Sequence, residues 1–105
     1  MDIISIEEAR HIQHLFGLFV TKEPVGEMIL KHIEHRPYEL HGEQIASQLK
    51  FESGYIQPIL KKMALYGLLD FRNGTGKQHL AKYYAVVPER VNELQKFYQL
   101  FKQEE

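Results

Sequence analysis

The imidazoles are the first residues in this chain that invite chemistry. His11 and His14 stand three apart, as do His32 and His35, and on predicted helices each pair can turn both rings to one side and offer them to a metal ion. A closed metal site usually takes four well-placed ligands. The chain has no cysteine, and the neighbouring carboxylates, Glu7, Glu8 and Glu34, are ordinary helix-surface residues. These histidines read as solvated surface, and no metal or other cofactor is expected. The serines are Ser5, Ser47 and Ser53, each at a place that capping or helix packing explains, and no catalytic triad is suggested. The run Asn73-Gly74-Thr75-Gly76 lacks the lysine-serine ending of a phosphate loop and sits in a predicted hairpin instead of before a helix. An enzyme is not expected.

Charge points to a different chemistry. The 105 residues carry a formal net charge of -1, a poor balance for a nucleic-acid binder until its distribution is considered. Between residues 50 and 82 the bases Lys50, Lys61, Lys62, Arg72, Lys77 and Lys82 face only the acids Glu52 and Asp70, a net of +4, so the flanks carry -5. A basic centre between acidic ends is the pattern of one face meeting phosphates while the flanks serve packing or assembly.

The elements that must position these residues follow from apolar spacing. Ser5 and Glu8 form a capping-box pattern, and Ile6, Ala9, Ile12, Leu15, Phe16 and Phe19 predict a helix from about Ile6 to Val20. Pro24 suits the first turn of a second helix carrying Val25, Met28, Ile29 and Ile33, which should end near His35, before Pro37. A short third helix spans Gly42 to Leu49, with Ile45, Ala46 and Leu49 on one face. After a brief connection from Lys50 to Ser53, a fourth helix carries Ile56, Ile59, Leu60, Met63 and Leu65 as far as Tyr66, ended by Gly67. Pro58 is tolerable if this helix begins just before it. Leu68, Leu69 and Phe71, then Leu80 to Val87, predict two strands around the glycine turn. Glu89 to Lys102 predicts a last helix.

The order is helix, helix, short helix, turn, helix, hairpin, helix. We expect a mainly α winged helix-turn-helix occupying residues 1–105 as one domain: an N-terminal helix to about residue 22, a winged-helix core over 23–87 and a C-terminal dimerisation helix over 88–105. In such a motif the second helix enters a major groove about 12 Å wide. Candidates for contact with double-stranded DNA are Lys50, Ser53, Tyr55, Gln57, Lys61 and Lys62 from that helix and its approach, and Arg72, Lys77, His79 and Lys82 from the wing. Gln57 is placed to pair with adenine, Tyr55 and Ser53 to donate to phosphates, and the cations to supply charge. On the last helix Val91, Leu94, Phe97, Tyr98 and Phe101 form an aromatic stripe with little domain core left to bury it, so it is assigned to a homodimer interface. Packing back on the first helix of the same chain is the alternative.

Leu40-His41-Gly42 followed by Ile45, then Gly54-Tyr55-Ile56-Gln57-Pro58-Ile59-Leu60-Lys61-Lys62-Met63, Gly67-Leu68-Leu69 and Lys82-Tyr83-Tyr84 together resemble the PadR family of bacterial winged-helix regulators. The resemblance covers about Val25 to Phe101. It implies a homodimeric transcriptional repressor, sometimes relieved by a small aromatic ligand between helices, and a structural hydrogen bond for His41. Glu43 and Gln57 stand where that family usually has tyrosine, which implies a changed operator or weaker binding. With no tryptophan in the chain, Phe16, Phe19, Phe97, Tyr98 and Phe101 are more economically core and interface residues than a drug-stacking set.

The expected function is a sequence-specific regulator whose two recognition helices enter successive major grooves about 34 Å apart. The rival is a winged helix used as a protein-interaction adaptor, favoured by Glu43 and the overall negative charge. A DNA-organising protein with little sequence preference is a third reading. Apolar runs far short of the roughly 20 residues that a membrane span needs, together with a start, Met1-Asp2-Ile3-Ile4, that is unlike a signal peptide, suggest no membrane partner and a cytoplasmic location.

Overall fold

The structure, a computed structural model, describes residues 4–18, 25–75 and 81–104, the last stretch with side chains as far as Leu100. Along the chain run α1 (Ile6–Phe16), α2 (Val25–Ile33), β1 (Leu40–His41), α3 (Gly42–Leu49), α4 (Ser53–Leu65), β2 (Leu69–Asn73), β3 (Lys82–Val86) and α5 (Pro88–Glu104). The three strands form an antiparallel sheet in the order β1-β3-β2. No helix among the described residues is long and apolar enough to cross a membrane.

Several boundaries differ from the sequence expectation for identifiable reasons. Ser5 caps α1 by accepting the Glu8 backbone N–H at 3.1 Å, but the Glu8 carboxylate completes no capping box and accepts instead from Arg90. The helix stops at Phe16 and not at Val20, because Gly17 adopts the left-handed conformation (φ 62) and donates its N–H back to the Gln13 carbonyl; a glycine takes this turn without a Cβ penalty. The turn drops Leu18 into the core, where it is fully buried. α2 closes at Ile33, two residues early.

The fourth helix begins at Ser53, so Pro58 lies inside it and not at its start. The carbonyl of Gly54, one turn back, loses its usual donor, a loss made tolerable because Gly54 is exposed and has open space around it. Gly67 takes the expected left-handed position after the helix (φ 84). β1 was not anticipated: two residues, pairing Leu40 with Tyr84 and His41 with Tyr83, are too few to leave a period in the sequence.

One apolar cluster runs through these elements. Ile12 and Phe16 of α1, Ile29 and Ile33 of α2, Ile45 of α3, Ile56, Leu60 and Met63 of α4, Leu68 and Leu69, and Leu94 of α5 are buried together. Each such side chain contributes on the order of 1.5–3 kcal/mol by leaving water, which sets the rotation of every helix about its own axis. The start of α5 is tied down by polar contacts as well. Arg90 donates to the Tyr66 carbonyl and the Glu8 carboxylate, both at 3.1 Å, Glu93 accepts the Ile4 backbone N–H at 2.9 Å, and Gln13 donates to the Leu94 carbonyl at 3.3 Å.

Candidate nucleic-acid interface

The α3–α4 unit is built from its own caps. His41 is the N-cap of α3: its Nδ1 accepts the Gln44 N–H, while Gln44 Oε1 accepts the His41 N–H at 3.1 Å. This reciprocal pair is a capping box with imidazole in the place of a hydroxyl. α3 ends at Lys50, a non-glycine residue in the left-handed region (φ 64) whose N–H reaches the carbonyls of Ala46 and Ser47. Phe51 donates to the Ala46 carbonyl, and its ring lies 5.6 Å from that of Tyr55.

Because Ile56, Leu60 and Met63 face the core, the opposite side of α4 presents Tyr55, Lys61, Lys62 and Leu65, all exposed. The sequence placed Tyr55, Lys61 and Lys62 correctly at the surface. Gln57 corrects the expectation. Its Nε2 donates to Ser53 Oγ at 2.6 Å, and its side chain lies so close to Gly42 that a Cβ there would stand 3.2 Å from Gln57 Cγ. Ser53 and Gln57 are thus joined to each other on the α3 side of the helix, neither of them extended outward.

The hairpin puts Leu69, Phe71 and Asn73 opposite Val86, Tyr84 and Lys82. Side chains alternate along a strand, so Phe71, Lys82 and Tyr84 share the face turned to α4, and Lys82 Nζ sits 4.6 Å above the Phe71 ring. On the other face Arg72 and Asp70 meet Tyr38 from the turn before β1: the Arg72 guanidinium lies over the Tyr38 ring and the Tyr38 hydroxyl donates to Asp70. That hydrogen bond, followed by desolvation and the Asp70 charge, raises the Tyr38 pKa above its ordinary value, with Arg72 acting the other way. Burial alone raises that of Tyr84. Lys77 and His79 lie outside the described residues.

No family model and no curated protein matches the chain. Similar solved structures include a mutant of S. aureus MepR, with a TM-score of 0.57 and 14% identity over 93% of this chain and 69% of that one. Another is a "possible transcriptional regulator" from Methanosarcina mazei Go1, with a TM-score of 0.59 and 17% identity over 96% of this chain and 82% of that one. The fold is a winged helix-turn-helix.

Within this winged helix, α3 and α4 are the helix-turn-helix, β2 and β3 the wing strands. Exposed Lys50, Tyr55, Lys61, Lys62 and Arg72 and half-exposed Lys82 belong to these elements. Sequence reasoning missed Tyr38 and Phe71 as neighbours of the wing cations; strand alternation could have separated Phe71 from Arg72, but no local signal brings Tyr38 to the sheet.

The interface assigned to the last helix needs correction. Leu94 is fully buried in the core of its own chain, and Val91 and Phe97 pack partly against that core. α5 thus packs within its own chain, against α1, with Val91 on the side facing α2. Tyr98 remains half-exposed, Leu100 is 49% exposed, and the Phe101 side chain lies outside the described set.

Three of the paired histidines meet neighbouring side chains. His32 Nε2 is 2.6 Å from Gln48 Oε1, His35 stands beside Glu34, and His11 meets Tyr66 edge-on. Among the described residues, no three His, Asp or Glu side chains gather as a metal site.

Proposed function

We propose that the chain is a sequence-specific double-stranded DNA-binding transcription regulator of the PadR type, acting in the cytoplasm as a homodimeric repressor. The observation that carries this reading is that Tyr55, Lys61 and Lys62 occupy the solvent side of α4, with half-exposed Lys82 on the wing face turned to that helix and exposed Arg72 on the other wing face. A helix whose opposite side is held in the core has one face to offer a major groove, and cations on that face and on the wing suit contacts to phosphates. The two structural neighbours support the winged-helix part of it, and one is described as a possible transcriptional regulator. For the dimer, the support is the distal part of α5, with half-exposed Tyr98 and exposed Leu100 beyond the docked segment.

The test is binding to labelled duplex from around its own gene, with and without nonspecific competitor, across a salt series. Competitor-resistant binding at two chains per site is the expected result. Exposed Leu65 and the acidic Glu43 in the first turn of α3 favour a second reading, a winged helix that docks another protein. Absence of DNA binding at low salt would move the assignment there.

A further inference from the structure

The outward side of α4 is poor in hydrogen-bonding groups at the end that a major groove would meet first. Opposite Ile56, Leu60 and Met63, the N-terminal half of the helix carries Gly54, Tyr55 and Pro58, all exposed. A Cβ at Gly54 would have nothing within 4 Å, and the Pro58 ring, four residues on, shares that side. Tyr55 is 52% exposed, with its ring steadied by Phe51 at 5.6 Å. The exposed cations Lys61 and Lys62 follow only in the C-terminal half.

Arginine and asparagine, which read base edges through paired hydrogen bonds, do not occur between residues 42 and 65. A glutamine pairs with adenine by using its carboxamide oxygen and nitrogen together, and each of the three glutamines in α3 and α4 has one of these engaged within the protein. Gln44 Oε1 accepts the His41 N–H at 3.1 Å, Gln48 Oε1 faces His32 Nε2 at 2.6 Å, and Gln57 Nε2 donates to Ser53 Oγ at 2.6 Å. The leading face is left with a proline ring and a tyrosine whose single hydroxyl cannot form a paired contact. In the major groove, the base feature that suits such an apolar surface is the 5-methyl group of thymine.

We propose that α4 selects its DNA site by apolar contact of Pro58 and Tyr55 with thymine methyl groups, and not by paired hydrogen bonds to base edges. The proposal rests on the DNA-binding reading above and assigns the source of its specificity. Lys61 and Lys62 supply phosphate contacts, which position the helix without reading sequence. A methyl group withdrawn from water contributes about as much as a buried methylene, so each one lost weakens binding about fourfold.

The experiment selects a duplex from a random-sequence library with the full chain, then resynthesises the enriched site in two altered forms. Uracil in place of thymine deletes only the methyl group; 7-deazaguanine in place of guanine deletes the N7 acceptor that a lysine would use. Uracil should weaken binding about fourfold at each contacted position, and 7-deazaguanine should leave it unchanged. Pro58→Ser, which also restores a backbone donor to the Gly54 carbonyl, should bring the thymine-to-uracil affinity ratio towards one, with circular dichroism verifying the helix. Equal affinities of the wild-type protein for thymine and uracil duplexes, a greater loss on 7-deazaguanine than on uracil, or an unaltered ratio in Pro58→Ser would each overturn the proposal while leaving DNA binding intact. Binding without enrichment of any sequence would overturn it together with the sequence-specific part of the proposed function. No binding to any duplex at low salt would sink the proposed function itself, and this proposal with it.

Discussion

The Arg72 guanidinium lies 3.8 Å from the centroid of the Tyr38 ring, and the phenol of that ring donates to Asp70 Oδ2 at 2.5 Å. Asp70 and Arg72 are two apart on β2 and therefore share a face, so one tyrosine from a preceding turn engages both. Tyr38 does this from a left-handed backbone (φ 60), held by its N–H bond to the Tyr84 carbonyl at 3.0 Å. The stack holds the Arg72 guanidinium in a restricted orientation, which lowers the entropy that any contact made through it would cost.

Tyr38→Ala should therefore weaken DNA binding about two- to fivefold, the scale of an exposed cation–π contact, whereas Tyr38→Phe, which keeps the ring, should bind close to wild type. Titrations at one salt concentration, with circular dichroism to verify folding, would decide. Equal affinities for the alanine and wild-type proteins would remove the role assigned to the stack.

Alkaline pH should find Tyr84. Burial raises its folded pKa above the ordinary 10.0 of an exposed phenol, so its contribution to stability is fully present below about pH 10 and lost as pH rises through the folded value. Urea midpoints should fall above pH 10, and less steeply in Tyr84→Phe. Absorbance at about 295 nm should show a late-ionising tyrosine that the variant lacks. Parallel pH profiles for the two proteins would refute this.

Lys50 separates stability from binding. Its left-handed backbone is strained for a residue with a Cβ, so Lys50→Gly should stabilise the fold by about 0.5–1 kcal/mol. The same change removes a cation beside the helix-turn-helix and should weaken DNA binding. A melting temperature that falls would contradict the first half, and an unchanged affinity the second.

His41→Ala deletes the N-cap of α3 and should cost about 1 kcal/mol, while His41→Asn, which can still accept the Gln44 N–H, should recover most of it. Chemical denaturation of the three proteins measures both. If asparagine is no better than alanine, the ring contact with Tyr83 at 5.6 Å is the more important of the two interactions.

Lys61→Ala should reduce the slope of log affinity against log salt by about one, uniformly across DNA sequences. Gln57→Ala should instead act mainly on stability, since Gln57 is engaged with Ser53 and Gly42, and Tyr55→Ala should alter sequence preference. Relaxed base preference in the Gln57 variant, measured on a panel of operator mutants, would show that this side chain reorients on DNA.

The sequence by itself determined the number, type and order of the described helices, the antiparallel pair of wing strands and the basic centre. Those properties are local: apolar periodicity, cap residues and charge spacing act within a few residues of themselves, which is why α3 was read to the residue and the side of α4 bearing Lys61 was read correctly. Gly17 shows the limit, since only a left-handed glycine that lets Leu18 enter the core explains why α1 stops short of Phe19. What the tertiary structure decided is which neighbour each side chain meets. Leu94 joined its own chain's core because Arg90, Glu93 and the backbone of Leu94 bind the ends of α1 and α4, contacts 24 to 89 residues apart in sequence. Gln57 turned aside because α4 is rotated by Ile56, Leu60 and Met63, and Gly42 of another helix leaves room for it. Tyr38 reached Arg72 only because β1 pairs with β3 and the sheet closes the distance, and such pairings depend on long-range packing that no short window of residues contains.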